Sequence, residues 1–141
     1  MNKPESSSTS KRAARDRDLD FEIEFYEKLL REKPDFVEVL ISLADAYTRR
    51  GHYPSGLEHD RTLARLRPDD STIRHNLACS YVLTGQVDEA FSTLRKAIEL
   101  GYDDLPQLER DPHLEPLRSD ARFRELTLRL KELKRQRRRL S

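Results

Sequence analysis

Apolar residues recur at steps of three and four along most of the chain, which is the spacing of a buried helical face. After Leu19, Phe21, Phe25 and Leu29 form one row, and Ile23, Tyr26 and Leu30 form a neighbouring row. Together they predict a helix ended by Pro34, because the residue before a proline is driven out of the helical region. Val37, Leu40, Leu43, Ala44 and Tyr47 make the stripe of a second helix, from about Asp35 to Arg50, with Gly51 as its C-terminal cap. A third runs from about Pro54 to Leu66, with Leu57, Leu63 and Leu66 inward and Pro68 beyond it. Asp70 or Ser71 then caps a helix carrying Ile73, Leu77, Ala78 and Tyr81 up to Gly85. Asp88 precedes the next, which carries Ala90, Phe91, Leu94, Ala97 and Ile98 and ends at Gly101. Pro106, Pro112 and Pro116 then allow only short turns, and a last helix starts near Ser119 or Asp120 with Phe123, Leu126, Leu130 and Leu133 along one side. Residues 1–18 have almost no apolar side chains and are expected to be a disordered leader, and residues 134–141 a fraying basic tail.

Part of this pattern occurs twice at one lag. Leu43-Ala44, Tyr47 and Gly51 return 34 residues later as Leu77-Ala78, Tyr81 and Gly85, and Pro34 and Pro68 share that lag. A period of this length made of helix-forming residues marks a helical repeat, in which each unit buries a thin face against its neighbour. Ala44 and Ala78 are small where paired helices must cross closely, and Gly51 and Gly85 suit a left-handed turn.

With Leu-Ala-x-x-Tyr-x-x-x-Gly in both copies, then Pro68 after the first and Ala90 and Ala97 in the second, the sequence resembles the tetratricopeptide repeat (TPR) family. Gly56 stands where the family prefers Ala, and Tyr102 replaces a closing proline. The resemblance implies an all-α fold, a helix–turn–helix array forming a fragment of a right-handed α-solenoid with a C-terminal capping helix. The helical domain is expected over 19–133, as a half-repeat at 19–34, repeats at 37–68 and 71–102, and a cap at 105–133. The run Asp111-Pro112-x-Leu114-x-Pro116-Leu117-Arg118-x-Asp120-x-Arg122-Phe123 looks like the closing element of small bacterial TPR proteins.

The resemblance also implies a concave groove lined by the first helix of each repeat. That assigns partner binding to Ile41, Asp45, Thr48 and Arg49 in one repeat and to His75, Asn76, Cys79 and Val82 in the other. The mixture of polar and apolar groups suits a peptide or helix laid along the surface. The family's clamp for C-terminal carboxylates has Lys and Asn where Ile41 and Asp45 stand, so a ligand of that kind is not expected. The alternative is that these residues pack against a neighbouring helix or the tail.

Composition sharpens the picture at two points. The net charge of +1 hides a segregation: residues 1–18 carry +2, residues 19–123 carry −7 and residues 124–141 carry +6. A basic helix end on an acidic body attracts anionic partners, which supports a second reading, an accessory factor docking on nucleic acid or a ribonucleoprotein. No aromatic residue follows Phe123, so the tail has no platform for stacking bases. Cys79 is the sole cysteine, which excludes an intrachain disulfide, and no apolar run reaches the roughly 18 residues of a membrane span. The start lacks the apolar stretch of a secretory signal, and the cytoplasm is the expected compartment.

Candidate chemistry is sparse. His75 and Cys79, four apart on one helix face, are the sharpest pair, but zinc needs three or four ligands and the sequence places no third, so no metal is expected. His52, His59 and His113 are scattered, and the acidic pairs Asp69-Asp70, Asp88-Glu89 and Asp103-Asp104 sit where helices start. Four glycines hardly build a phosphate loop. The expectation is a non-catalytic protein–protein scaffold without cofactor, its partner a protein, a peptide or a second copy of the chain covering the unpaired half-repeat.

Overall fold

The computed structural model describes residues 4–141, with side chains from Ser8 onward. Every regular element among them is helical: α1 (Pro4–Glu32), α2 (Val37–Arg50), α3 (Tyr53–Leu66), α4 (Ser71–Leu83), α5 (Val87–Glu99), α6 (Leu105–Arg110), a 3₁₀ segment (Pro112–Leu117) and α7 (Ala121–Leu140). The chain divides into two compact units, the first ending at His59 and the second beginning at Asp60.

In the N-terminal unit α1 packs on α2. Leu19 and Ile23 bury against Leu43 and Ala46, with Tyr26, Leu30 and Tyr47 around them. Of the two apolar rows on α1, the one containing Ile23 therefore faces the core. Phe21 and Phe25 lie on the other row and are exposed at 73% and 51%. The disordered leader expected over 1–18 is corrected from Pro4 on: the helix that docks on α2 continues without a break towards the N-terminus. Leu19 anchors it, and Arg50 of α2 reaches back to Asp20 at 2.8 Å and Asp16 at 3.8 Å. Lys11, Arg12, Ala13, Ala14 and Arg15 are good helix formers and carry the helix beyond those contacts. Residues 1–3 lie outside the described residues.

The expected turns form. Gly51 takes φ 89° and Gly85 φ 77°, and each is followed by a residue whose N–H donates to a carbonyl five residues back, His52 to Tyr47 and Gln86 to Tyr81, both at 2.8 Å. Gly56 lies within α3, where a glycine costs about 1 kcal/mol relative to alanine. The close approach of α2 explains it, since a Cβ there would meet Thr48 Oγ1 at 2.9 Å and the Ala44 carbonyl at 3.5 Å. Gly56→Leu is expected to destabilise the chain by about 1–3 kcal/mol in urea denaturation, through overpacking. Pairing Gly56→Ala with Thr48→Ala removes the obstruction and leaves the gain in helix propensity.

In the C-terminal unit α4 packs on α5 and on the 3₁₀ segment, α5 on α7, and α6 on both α7 and the 3₁₀ segment. Phe91, Leu94, Ala97 and Ile98 of α5 fill the core together with Leu108, Leu114, Leu117, Phe123, Leu126 and Leu130. Three short-range caps set the boundaries after the repeats. Asp104 accepts from Gln107 N, Asp111 from His113 N and Asp120 from Arg122 N, so the prolines fall inside capped turns. Two expectations need correcting. Leu66 is exposed rather than inward, and the basic tail does not fray at Leu133, because α7 runs on to Leu140 with Arg137 reaching Asp103 at 3.7 Å.

Candidate functional site

Two places carry more than packing, one in each unit. In the C-terminal unit His75 and Cys79 lie one turn apart on α4, and Asp111, at the start of the 3₁₀ segment, is brought against both. His75 Nε2 is 3.4 Å from Asp111 Oδ2, and the Cys79 thiol donates to the same oxygen at 3.6 Å. Cys79 Sγ and His75 Nε2 are 3.9 Å apart. The His75 ring stacks on Tyr102, centroids 4.9 Å apart and planes within 4°, and the Tyr102 hydroxyl donates to Gln107 Oε1. Asp111 is fixed from outside by His113 N on Oδ1 and by Arg118 Nη2 on its carbonyl at 2.7 Å.

His75 and Cys79 retain only 2% and 8% of their surface, so their expected place in an open groove is corrected. The segment carrying Asp111 covers them, which is the packing alternative stated above. Val82 likewise packs partly buried against the core, while Asn76 stays exposed. Asp111 is the residue sequence reasoning missed as a partner. Its lag of 32 from Cys79 follows no repeat, and in the sequence it stood only as the first residue of the closing run.

Electrostatics argue against nucleophilic use of this cluster. Burial, then the Asp111 charge, pushes the Cys79 thiol far up, whereas a thiol nucleophile needs the opposite shift. Burial lowers the His75 pKa, only partly offset by Asp111, by a hydrogen bond with Asn76 and by Asp104. The folded chain thus holds this imidazole neutral, while the unfolded chain protonates it near the ordinary value of 6.5. The stability this contributes is complete above about pH 6.5 and declines as the pH falls below it, by at most about 1.4 kcal/mol per pH unit for one proton. Replacing His75 with glutamine is expected to flatten that limb in denaturation curves taken between neutral and mildly acidic pH.

In the N-terminal unit Ile41, Asp45, Thr48 and Arg49 lie on α2. Ile41 is 44% exposed. Arg49 binds Asp45 at 2.9 Å and reaches Glu22 of α1 at 3.6 Å. Phe25 follows Glu22 by three residues and Ile41 precedes Asp45 by four, so exposed apolar side chains flank this small ion network on both helices. Thr48 turns inward, donating to the Ala44 carbonyl at 3.0 Å, and is half-buried against Gly56.

Comparison with solved structures decides the fold. A crystal structure of MamA aligns with a TM-score of 0.67 at 18% identity, over 95% of this chain and 75% of that one. MamA 41-end from Desulfovibrio magneticus RS-1 gives 0.67 at 15% identity, over 84% and 68%. The MamA RS-1 ArsTM double mutant gives 0.67 at 16%, over 85% and 68%. MamA is a TPR-repeat protein. The chain has a TPR-like fold. No protein-family model matches it. Among curated proteins, 80 residues, 55% of this chain, are 31% identical to a chloroplastic protein of Arabidopsis thaliana. That stretch is 24% of the relative, so the chain spans about a quarter of the length of the protein it matches. The TPR-like architecture expected from the 34-residue echo is thereby established, and no helix among the described residues is long and apolar enough to cross a membrane.

Proposed function

We propose that the protein is a non-catalytic, cytoplasmic interaction scaffold that holds a peptide or helical segment of a partner protein along the exposed side of α1 and α2. The observation that carries this reading is the exposure of Phe21, Phe25 and Ile41 at 73%, 51% and 44% on regular helices beside Glu22, Asp45 and Arg49. Large apolar side chains bordered by charges suit an amphipathic partner, whose apolar face would cover the rings while its polar groups meet the ions. The TPR-like fold supports the reading because repeat scaffolds commonly bind through such surfaces. In this reading the groove expected from the sequence is reduced to Ile41, Asp45 and Arg49 of α2, together with the phenylalanines of α1.

Phe25→Glu with Ile41→Glu is expected to reduce recovery of a defined partner, in affinity purification with quantitative mass spectrometry, by at least tenfold while leaving the helical content intact. Asp45→Lys should weaken it less. Equal recovery with both glutamates in place would remove this face from the proposal.

The second reading keeps one specific support. Lys131, Arg135 and Arg138 are exposed at spacings of four and three, on one side of α7. If that side docks on nucleic acid, deleting residues 131–141 abolishes a salt-sensitive affinity for RNA or DNA. No binding by the intact chain at low salt disposes of it.

A further inference from the structure

We propose that His75, Cys79 and Asp111 form a binding site for one transition-metal dication, with zinc the ion that best suits an imidazole, a thiolate and a carboxylate together. The proposal rests on where the three donor atoms lie. Zinc holds nitrogen at about 2.0–2.1 Å, sulfur at about 2.3 Å and carboxylate oxygen at about 2.0–2.2 Å, so tetrahedral angles set its ligand atoms ~3.3–3.6 Å apart. Here the nitrogen–oxygen separation is 3.4 Å, sulfur–oxygen 3.6 Å and sulfur–nitrogen 3.9 Å. Two of the three edges already match, and a small rotation of the Cys79 side chain closes the third. All three donor atoms lie within 4.8 Å of one another, so one ion reaches each of them.

The groups behind the donors strengthen the assignment. Metal ligands are ordinarily held in orientation by outer partners, and each side of this site has some. Stacking on Tyr102 fixes the plane of the His75 ring, and the Tyr102 hydroxyl is itself held by Gln107. Asp111 offers Oδ2 inward because Oδ1 is taken by His113 N and the backbone is held by Arg118. Two ligands come one turn apart from α4 and the third from the capping segment, so the ion would clip that segment onto α4. Asp111 keeps 11% of its side-chain surface, which leaves a fourth position to water on that side.

The chemistry balances simply. On binding, the Cys79 thiol releases its proton to solvent, the neutral imidazole places its N–H on Nδ1, and Nε2 gives its lone pair to the ion. Without metal the Cys79 thiol donates to Oδ2 and His75 Nε2 lies 3.4 Å from the same oxygen, so the experiment must separate an ion site from a cluster held by these contacts alone. Cys79 is the sole thiol, and any thiolate-to-metal charge-transfer band therefore reports this site without a variant.

The test adds Co2+ to the full chain after removal of metal with a chelator. The expected result is a sulfur-to-cobalt charge-transfer band that saturates at one equivalent and is displaced by Zn2+. Cys79→Ala should abolish it, Asp111→Asn should weaken cobalt binding at least tenfold, and His52→Gln should change neither. Absence of the band at one equivalent overturns the proposal, as does cobalt binding that survives in Cys79→Ala, which would place the ion on surface histidines. Circular dichroism shows whether each variant folds. If Asp111→Asn does not, the band in the unaltered chain and its stoichiometry decide alone.

Discussion

Phe91→Ala is expected to cost about 3–5 kcal/mol of stability, the largest effect of any single truncation considered for this chain. Phe91 is 2% exposed and sits on α5, which packs on both α4 and α7. Its ring therefore joins two packing layers, and its loss opens a cavity bordered by side chains of Leu and Ile that cannot all move inward. One face of the ring also carries the Arg122 guanidinium at 4.2 Å from the centroid, and Arg122 is itself held by Asp88 at 2.8 Å and Asp120 at 2.9 Å. Removing the ring takes away the cation–π contact of that arginine as well as opening the cavity. Domains are typically stable by about 5–15 kcal/mol, so a loss of this size consumes much of the margin. Phe91→Leu, which keeps most of the volume, should cost under about 1.5 kcal/mol. Urea denaturation of the full chain followed by far-UV circular dichroism distinguishes the two. A loss below about 1 kcal/mol for Phe91→Ala would mean that α7 closes onto α4 and that the layered description of this core is wrong.

What the sequence made legible was whatever recurs. The pairs Leu43–Ala44 and Leu77–Ala78, the tyrosines and the turn glycines are fixed by close helix crossing and by left-handed φ, requirements that return with every repeat. The echo even extends to contacts the composition hides. Tyr47 donates its hydroxyl to Glu27, 20 residues back, and the Tyr81 hydroxyl accepts from Arg61, also 20 residues back. The reach of the N-terminal helix was not legible, because residues 4–18 have almost no apolar face for periodicity to register, and the ion pairs of Arg50 with Asp16 and Asp20 are long-range contacts. The two apolar rows of α1 are equally periodic, and only packing tells that Ile23 faces inward while Phe25 faces out. The groove assignment fails at His75 and Cys79 for a related reason. Their repeat positions suggest a ligand-facing surface, but a non-repeating segment folds over them, and nothing in a 34-residue period announces where the period stops mattering. Asp111 was visible only as the first residue of the closing run; neither its cap at His113 N nor its approach to His75, which use different oxygens of one carboxylate, was legible.

That double duty sets the size of the second large effect. Asp111→Ala is expected to cost about 2–4 kcal/mol in metal-free protein, more than an ordinary lost cap. The cap at His113 N accounts for about 1 kcal/mol. The rest comes from His75 and Cys79, which are buried and lose the oxygen that both approach; a buried polar group left unsatisfied costs about 1–3 kcal/mol. Asp111→Asn keeps one acceptor, which serves either the cap or the buried pair but not both, and should cost less than Asp111→Ala. The decisive comparison is a double-mutant cycle with His75→Leu. Once the imidazole is replaced by an apolar group of similar bulk, it no longer needs the carboxylate, so Asp111→Ala should become milder by about 0.5–3 kcal/mol. Additive losses in that cycle would show that Asp111 stabilises the fold without coupling to the imidazole, through its cap and the Cys79 thiol alone.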